Sequence, residues 1–299
     1  MSRMMIRGSE YPLKKIFSDD FFFTIPRYQR PYSWTTEQSE ELFQDLIRAM
    51  DNFKKVSDDL PPYFLGSILL SKDDEPHAEI IDGQQRLTTL TMLLAAIRSL
   101  AKPNFAEGLT TFLCEKGNII IGTPSRYRLR LRDLDAPFFQ KHIQEENGIV
   151  ALAELRESQL TDSQKNIRDN TLGFIRELRK LSQSQLESLT SFIINRCFLI
   201  VVTVSAPDLD SVYRIFSVLN SRGLNLSYSD ILKSEIITAI PLDQQDDYAT
   251  RWENLEALLG TEEFENLFYN LRTIFSRSLM PRSGTQGDEN EAYYPEWRV

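Results

Sequence analysis

The chain has 299 residues, of which 41% are hydrophobic and 26% are charged, and its formal net charge is −9. This composition is that of a globular protein with a sizeable core, and the negative balance argues against a general polyanion binder. No apolar run approaches the roughly 18 residues of a membrane span and the N-terminus lacks the apolar core of a signal peptide, so we expect a cytoplasmic protein without membrane contact.

The first hundred residues predict a mixed α/β unit. The segment "DDFFFTIP" is typical of a strand that ends at Pro26. A helix follows in "TTEQSEELFQDLIRAMDNF", where Thr35 and Gln38 have capping-box spacing. "PPYFLGSILLSK" predicts a buried strand, and a turn then leads to a short strand at "EII". The next helix carries an apolar stripe from Leu87 to Ile97, so strand, glycine turn and helix follow one another directly.

Residues 102–200 read as mainly helical, with helices near 163–181 and 184–197. The run "CFLIVVTVS" that follows is rich in β-branched residues and predicts a central strand. Residues 209–240 predict a helix, a glycine turn and a second helix, and further helices are expected to about residue 277.

The predicted elements divide the chain into three parts. We expect an α/β core with a helical insertion at residues 1–240, a helical extension at 241–280 and a linker-like tail at 281–299. The acidic character belongs mainly to the C-terminal end, because residues 236–299 carry 12 acidic and 5 basic side chains.

The segment "IIDGQQRL" places polar residues at a strand-helix junction, where core packing does not need them. A glycine turn at a helix start favours a phosphate, because the first N–H groups are unpaired and the helix dipole is positive there. Gly83 permits close approach of the backbone, and Arg86 has a fork suited to phosphate oxygens. Asp82 is suited to binding Mg²⁺ or water, and Gln84 or Gln85 to orienting an attacking water. The structural alternative is an N-cap at Asp82 and a solvated first turn.

The segment "IPRYQRPYSW" combines cations with aromatic rings, a combination suited to gripping phosphates and stacking a base. Its candidate residues are Arg27, Tyr28, Gln29, Arg30, Tyr32 and Trp34. The alternative interpretation is a proline-bounded loop whose aromatic rings cover the edge of the core.

A third segment, "FSVLNSRGLNLSYSD", places Asn220, Arg222 and Gly223 in the turn between two predicted helices. Asp230 begins the second of these helices. Because Ser227 and Asp230 have capping-box spacing, a structural role for Asp230 competes with a catalytic one.

The segment "SRYRLRLRD" has the alternation of a strand that is apolar on one face and cationic on the other. Its cationic residues are Arg126, Arg128, Arg130 and Arg132. They predict either an ordinary solvent-facing strand or a groove for nucleic acid or nucleotide phosphates.

Most familiar enzyme classes find no support in the residue pattern. There is no nucleophile with a partner histidine and no Walker-type glycine loop followed by Lys-Ser/Thr. His77 and His142 are isolated, as are Cys114 and Cys197, so neither a zinc site nor a histidine-based metal nuclease is predicted.

Four segments, taken in order, resemble the N-terminal domain of the GmrSD type IV restriction endonuclease family, a ParB/sulfiredoxin-like domain. They are "YQRPYSW", "YFLGSILL", "IIDGQQRLTTL" and "IFSVLNSRGLNLSYSDILKSEI". The similarity runs from about Tyr11 to Ile240. It implies an NTPase or nucleotide-sensing domain in bacterial defence against phage and other modified foreign DNA.

The resemblance also implies which residues form the site. The family motif for nucleotide binding and hydrolysis falls on Asp82, Gly83, Gln84, Gln85 and Arg86. A second motif falls on Tyr28, Gln29, Arg30 and Pro31, and a third falls on Asn220, Gly223 and Asp230.

The resulting hypothesis is an NTP-hydrolysing domain in which a nucleotide with Mg²⁺ binds between "YQRPYSW" and the helix start, and modified DNA changes its turnover. Related full-length proteins often carry a histidine-based HNH-type nuclease domain, which His77 and His142 cannot supply. We therefore expect either a nuclease domain removed from this chain, a separate nuclease subunit or a protein that does not cut DNA. The alternatives are a nucleotide-gated DNA-binding adaptor without turnover and a ParB-like nuclease acting through Asp82. A homo-oligomer is compatible with the sequence.

Overall fold

A mixed sheet of six strands organises the part of the chain that the computed structural model describes. That part comprises residues 5–27, 29–55, 62–117, 120, 122–205, 232–233, 236–237, 240–260, 263–264, 266–268 and 270–271. In chain order, the sheet strands are β1 (Met5–Pro12), β2 (Phe22–Thr24), β3 (Tyr63–Ser71), β4 (His77–Asp82), β7 (Leu129–Arg130) and β8 (Cys197–Ser205). A small second sheet pairs β5 (Cys114–Glu115) with β6 (Arg126–Tyr127).

The strand order is β1-β8-β3-β4-β2-β7. β8 pairs with β1 in antiparallel and with β3 in parallel orientation, and β3 pairs with β4 in antiparallel orientation. β2 lies parallel to both β4 and β7. The predicted mixed α/β class is therefore confirmed, and the apolar run after residue 196 is an interior strand, as expected.

Helices surround this sheet and supply most of the core. They are α1 (Leu13–Ile16), α2 (Thr36–Lys55), α3 (Gln84–Leu100), α4 (Pro103–Leu113), α5 (Ala136–Phe139), α6 (Asp162–Leu178), α7 (Gln183–Arg196) and α8 (Leu242–Leu259). A π-helical turn at Gln140–Gln144 and 3₁₀ segments at Gly148–Glu154 and Glu157–Gln159 connect α5 to α6.

Helix α3 is the central helix of the described fold. Every residue from Leu87 to Arg98 is buried, so the helix has no solvent-facing side along this stretch. Three threonines lie within it, and two of them, Thr89 and Thr91, donate their hydroxyl groups to the carbonyl oxygen four residues earlier. These two buried hydroxyl groups therefore keep a hydrogen bond inside the helix, whereas the buried Thr88 hydroxyl has no partner among the described residues.

The element predictions were wrong at two places. The structure adds β1, an edge strand that the polar N-terminal residues do not predict; its backbone pairs with β8 from Met5 to Pro12. The predicted strand at 126–132 is not continuous, because β6 and β7 belong to different sheets and Arg128 separates them. The motif around Asn220, Gly223 and Asp230 lies outside the described residues, as does Tyr28.

Glycine is required where β4 turns into α3. Gly83 has a φ of 91°, in the left-handed region. A Cβ at this position would lie 2.5 Å from Cγ2 of Ile68 on β3. The turn can therefore be this tight, and α3 can start this close to the sheet, because residue 83 has no side chain.

We expect Gly83→Ala to lower the free energy of unfolding by about 2–4 kcal/mol, through backbone strain plus the overlap with Ile68. Gly108→Ala is the matched control, because Gly108 lies inside α4 and a Cβ there would meet none of the described atoms within 4 Å. Alanine there should raise stability by about 0.5–1 kcal/mol. Urea unfolding followed by circular dichroism measures both, and equal stabilities of Gly83→Ala and wild type would contradict the prediction.

Candidate functional site

Gln85 fastens the segment 29–34, which we call the site loop, to the start of α3. Its Oε1 accepts hydrogen bonds from the backbone N–H groups of Ser33 at 2.9 Å and Trp34 at 3.2 Å. Its Nε2 donates to the carbonyl oxygen of Pro31 at 3.0 Å. The side chain is 7% exposed, so these three bonds replace the water that it loses on burial.

Two further glutamines complete the same attachment. Gln84 Nε2 donates to the carbonyl oxygen of Arg30 at 3.1 Å, and Gln29 Nε2 donates to the carbonyl oxygen of Ile81 at 2.8 Å. The bonds run in both directions, from α3 to the site loop and from the site loop to the end of β4. The glutamines therefore hold together two segments that lie some fifty residues apart in sequence.

A second buried network anchors the other end of the site loop. The hydroxyl oxygens of Tyr32 and Thr89 are 2.8 Å apart, and Asn170 Nδ2 on α6 donates to both Tyr32 Oη and the Trp34 carbonyl oxygen at 2.8 Å. Tyr32 is 5% exposed, and burial raises its pKa above the ordinary value. The prediction that Tyr32 stacks a base is therefore wrong, because its ring lies in the core.

Arg86 occupies the edge of β3 at the point where β4 has ended. The last β3–β4 pair is Leu69 with Asp82, so the carbonyl oxygen of Ser67 lies beyond the ladder. Arg86 Nη1 donates to this oxygen at 3.0 Å. Burial lowers the pKa of the guanidinium, while the negative charge of Asp82 acts in the opposite direction.

A bulge in β3 makes room for the Arg86 guanidinium. The pairing with β8 shifts by one residue between Phe64 and Ser67, and Gly66 in this interval has a φ of 103°. A Cβ on Gly66 would lie 3.2 Å from three guanidinium atoms of Arg86. Arg86 therefore packs directly on the backbone of Gly66. The sequence segments that contain these two residues, taken separately, do not predict this contact.

The first turn of α3 has no side-chain cap and no acidic residue. Helices α6 and α7 differ in this respect, because Thr161 and Ser182 close capping boxes at their starts. Asp82 lies immediately before the turn, so it is not the N-cap; that position belongs to Gly83. The unpaired N–H groups of this first turn, next to Arg86, are an arrangement suited to an anion.

The structure thus brings together the five residues of the 82–86 segment with Gln29 and Arg30. The side chains of Asp82 and Arg30 make no hydrogen bond or ion pair with the described residues. Arg27 is different, because it forms an ion pair with Asp133. Of the predicted site, the junction and the site loop therefore lie side by side, and the described charge that acts on Asp82 is that of Arg86.

The expected row of four exposed arginines is not present. Arg128 and Arg132 are 4% and 3% exposed. Arg128 pairs with the exposed carboxylate of Asp19 at 2.5 Å, and Arg132 forms a buried ion pair with Asp135 at 3.3 Å. Arg126 and Arg130 are exposed; Arg126 lies over the ring of Phe22, and Arg130 pairs with Asp133 at 2.7 Å. The predicted alternation is correct for Leu129 and Leu131 but wrong for the face opposite, because half of its cations point into the protein.

Within the described ranges, no three His, Cys, Asp or Glu side chains are grouped as metal ligands. In the same part of the chain, no helix combines the length and apolar character needed to cross a membrane.

Residues 13–237 match the family described as "GmrSD restriction endonuclease, N-terminal domain". Because the match covers most of the chain, the protein belongs to this family, whose members are domains of restriction systems. The matched range contains the site loop, the bulge of β3 and the β4–α3 junction, and it ends before α8. A comparison with curated proteins found no match to the chain.

We expect Gln85→Ala to lower the free energy of unfolding by about 2–4 kcal/mol, because three backbone groups of the site loop lose their partner at a buried position. Gln44→Ala on the exposed face of α2 is the matched control and should change stability by less than about 0.5 kcal/mol. Chemical denaturation of both variants tests this. A Gln85→Ala protein as stable as the control would show that the amide does not hold the loop.

Proposed function

We propose that the protein binds a nucleoside triphosphate with Mg²⁺ at the β4–α3 junction and hydrolyses it, as the nucleotide-dependent domain of a restriction system acting on modified foreign DNA. The observation that carries the proposal is the uncapped first turn of α3 with Arg86 beside it. Membership of the restriction endonuclease family supports the setting.

The arrangement is suited to phosphate for three reasons. The N–H groups of the first turn and the helix dipole favour an anion, and the turn at Gly83 sets this helix start directly against the sheet. Arg86 offers further N–H donors from a guanidinium that Gly66 and the Ser67 carbonyl already hold in place. Arg30, whose side chain has no hydrogen bond or ion pair with the described residues, belongs to the site loop, and its backbone carbonyl oxygen is bonded to Gln84 at the start of α3.

Asp82 is the residue that fits a magnesium ion. Mg²⁺ in nucleotide sites commonly takes one or two carboxylates, with phosphate oxygens and waters as its other ligands, so a single unpaired carboxylate beside a phosphate site is sufficient. When bound, Mg²⁺ would neutralise charge that develops on phosphate oxygens. The part of Asp82 in the proposal is to hold this ion or an attacking water.

The two glutamines have different parts in the proposal. The amide of Gln85 is bonded at both ends to the site loop, so we assign it to positioning that loop. Gln84 uses only its Nε2 toward Arg30 among the described residues, and its Oε1 remains available to accept a hydrogen bond from a water. Gln84 is therefore the better candidate for orienting the attacking water.

The proposal assigns DNA cleavage to another component. His77 and His142 lie on β4 and in the π-helical turn, and neither joins a cluster of metal ligands in the described part. An HNH-type nuclease domain or a separate nuclease subunit is the expected partner. Phosphate chemistry at the junction then serves to control that partner when modified DNA is present.

A nucleotide-gated DNA-binding adaptor is the second candidate, and of the four arginines at 126–132 only Arg126 and Arg130 still favour it, because both are exposed. This candidate requires nucleotide binding without phosphate release. It also requires that the protein bind DNA. The slope of log affinity against log salt concentration should then fall by about two when both arginines are replaced by alanine, because two fewer counterions are released.

The test of the proposal is phosphate release from ATP, GTP, CTP and UTP with Mg²⁺, with and without modified DNA. We expect Arg86→Ala to lose at least about 100-fold in turnover, as for other charged groups that stabilise a transition state.

Arg30→Ala should weaken nucleotide binding by about tenfold or more, since it removes one charged hydrogen bond.

Arg48→Ala is the control, because Arg48 is an exposed arginine on α2 whose bonds to Gln44 and Asp45 stay within its own helix. Arg86 also bonds to the Ser67 carbonyl, so the melting temperature of each variant is measured alongside. Wild-type turnover that persists in folded Arg86→Ala would refute the assigned site. Nucleotide binding without turnover would favour the adaptor.

A further inference from the structure

Five charged side chains are buried together between the site loop and α8. They are Arg132, Asp135, Lys233, Glu253 and Glu256, and their exposures are 3%, 1%, 1%, 5% and 8%. Charges at such burial are costly unless they compensate one another. The cluster is of interest because Glu253 and Glu256 lie on α8, beyond the residues that match the family.

Arg132 is the centre of this cluster. Its Nη2 lies 3.3 Å from Asp135 Oδ2, and its Nη1 lies 3.7 Å from Glu253 Oε1 and 3.6 Å from Glu256 Oε2. The same Nη1 donates to the backbone carbonyl oxygen of Gln29 at 3.5 Å. One guanidinium nitrogen is therefore shared between the site loop and two carboxylates of α8.

Three carboxylates, that of Asp135 and the two on α8, balance the positive charges of the cluster. Burial opposes the positive charge of Arg132, but Asp135, Glu253 and Glu256 outweigh burial and raise its pKa. Lys233 lies 3.4 Å from Glu253 Oε1, and burial together with the charge of Arg132 lowers its pKa to about 8. Without the two glutamates, two buried cations of the cluster would face a single carboxylate, Asp135.

Gln29 is the residue that connects this cluster to the junction. Its carbonyl oxygen faces Arg132, and its side-chain amide donates to Ile81 at the end of β4. A change in the placement of Arg132 therefore acts on the backbone of the residue that begins the site loop. Arg30, the next residue, is the cation that the proposed phosphate site draws from this loop.

We infer that Glu253 and Glu256 of α8 are positioning residues for the site loop, which they hold through Arg132 and Gln29. The helix beyond the matched domain is then part of the site's support, and movement of α8 changes the placement of Arg30 relative to the start of α3. The inference about the loop is independent of the ligand; its consequence for phosphate binding rests on the proposed function.

The test is amide hydrogen exchange, followed by mass spectrometry, in the full chain without nucleotide. In Glu253→Gln/Glu256→Gln we expect the peptides that cover residues 29–34 to exchange about tenfold faster than in wild type, while exchange in β8 is unchanged. Asp247→Asn is the matched control, because Asp247 is an exposed acid on the same helix that pairs with Arg251, and it should leave the loop unchanged.

Unchanged exchange in the site loop of the double variant would overturn the inference, and so would faster exchange of equal size in the control. If the double variant unfolds, the single variants Glu253→Gln and Glu256→Gln decide in the same way, because each removes one of the two contacts to Arg132 Nη1. The exchange experiment is done without nucleotide. If the protein proved to bind no nucleotide, the proposed function would be refuted, but this test of the loop would still be valid.

Discussion

The hydrogen bonding of side-chain amides to backbone groups at the β4–α3 junction is the constraint on which the rest of the site depends. A loop of irregular backbone cannot satisfy its own N–H and C=O groups, so a loop that is partly buried needs partners from elsewhere. Gln29, Gln84 and Gln85 supply these partners, and Gln85 alone serves three backbone groups. The polar residues at the junction are thus explained first by the backbone that they satisfy. Arg86 follows the same rule at the strand edge, where it bonds to the Ser67 carbonyl beyond the end of the β3–β4 ladder.

Local signals in the sequence were sufficient for the junction but not for the contacts made across it. The glycine, the apolar run before it and the helical periodicity after it are all close together in sequence, and the order strand, turn and helix was therefore predicted correctly. The hydrogen bonds of Gln85 and Asn170 to the site loop were not predictable, because their partners lie roughly fifty and more than a hundred residues away in sequence. The prediction that Arg128 and Arg132 face solvent was wrong for the same reason. A period of two separates the faces of a strand, but whether a face meets solvent depends on distant carboxylates such as Asp19 and Glu253. Strand β1 was missed because its residues show no clear alternation of apolar and polar types, whereas its backbone pairing with β8 defines it.

The folded part of this protein extends beyond the residues that match the family. The match ends at residue 237, yet Arg132 within it is neutralised partly by Glu253 and Glu256, which lie after that residue. A domain defined by sequence similarity can therefore omit side chains on which its buried charges depend. The predicted boundary near residue 240 falls at the same place, and it separates α8 from the cluster that this helix completes.

The pairing of β8 with both β1 and β3 has a consequence for the order of events during synthesis. Met5 pairs with Ser205 and Ile68 pairs with Val201, so these contacts join residues that are very distant in the chain. Contacts of this kind form slowly, because closing a long loop costs entropy before any pairing is gained. The β3 bulge that seats Arg86 is defined only by its pairing with β8. The N-terminal two thirds of the chain must therefore be synthesised before β8 can pair with β3 and the position of Arg86 on β3 is complete.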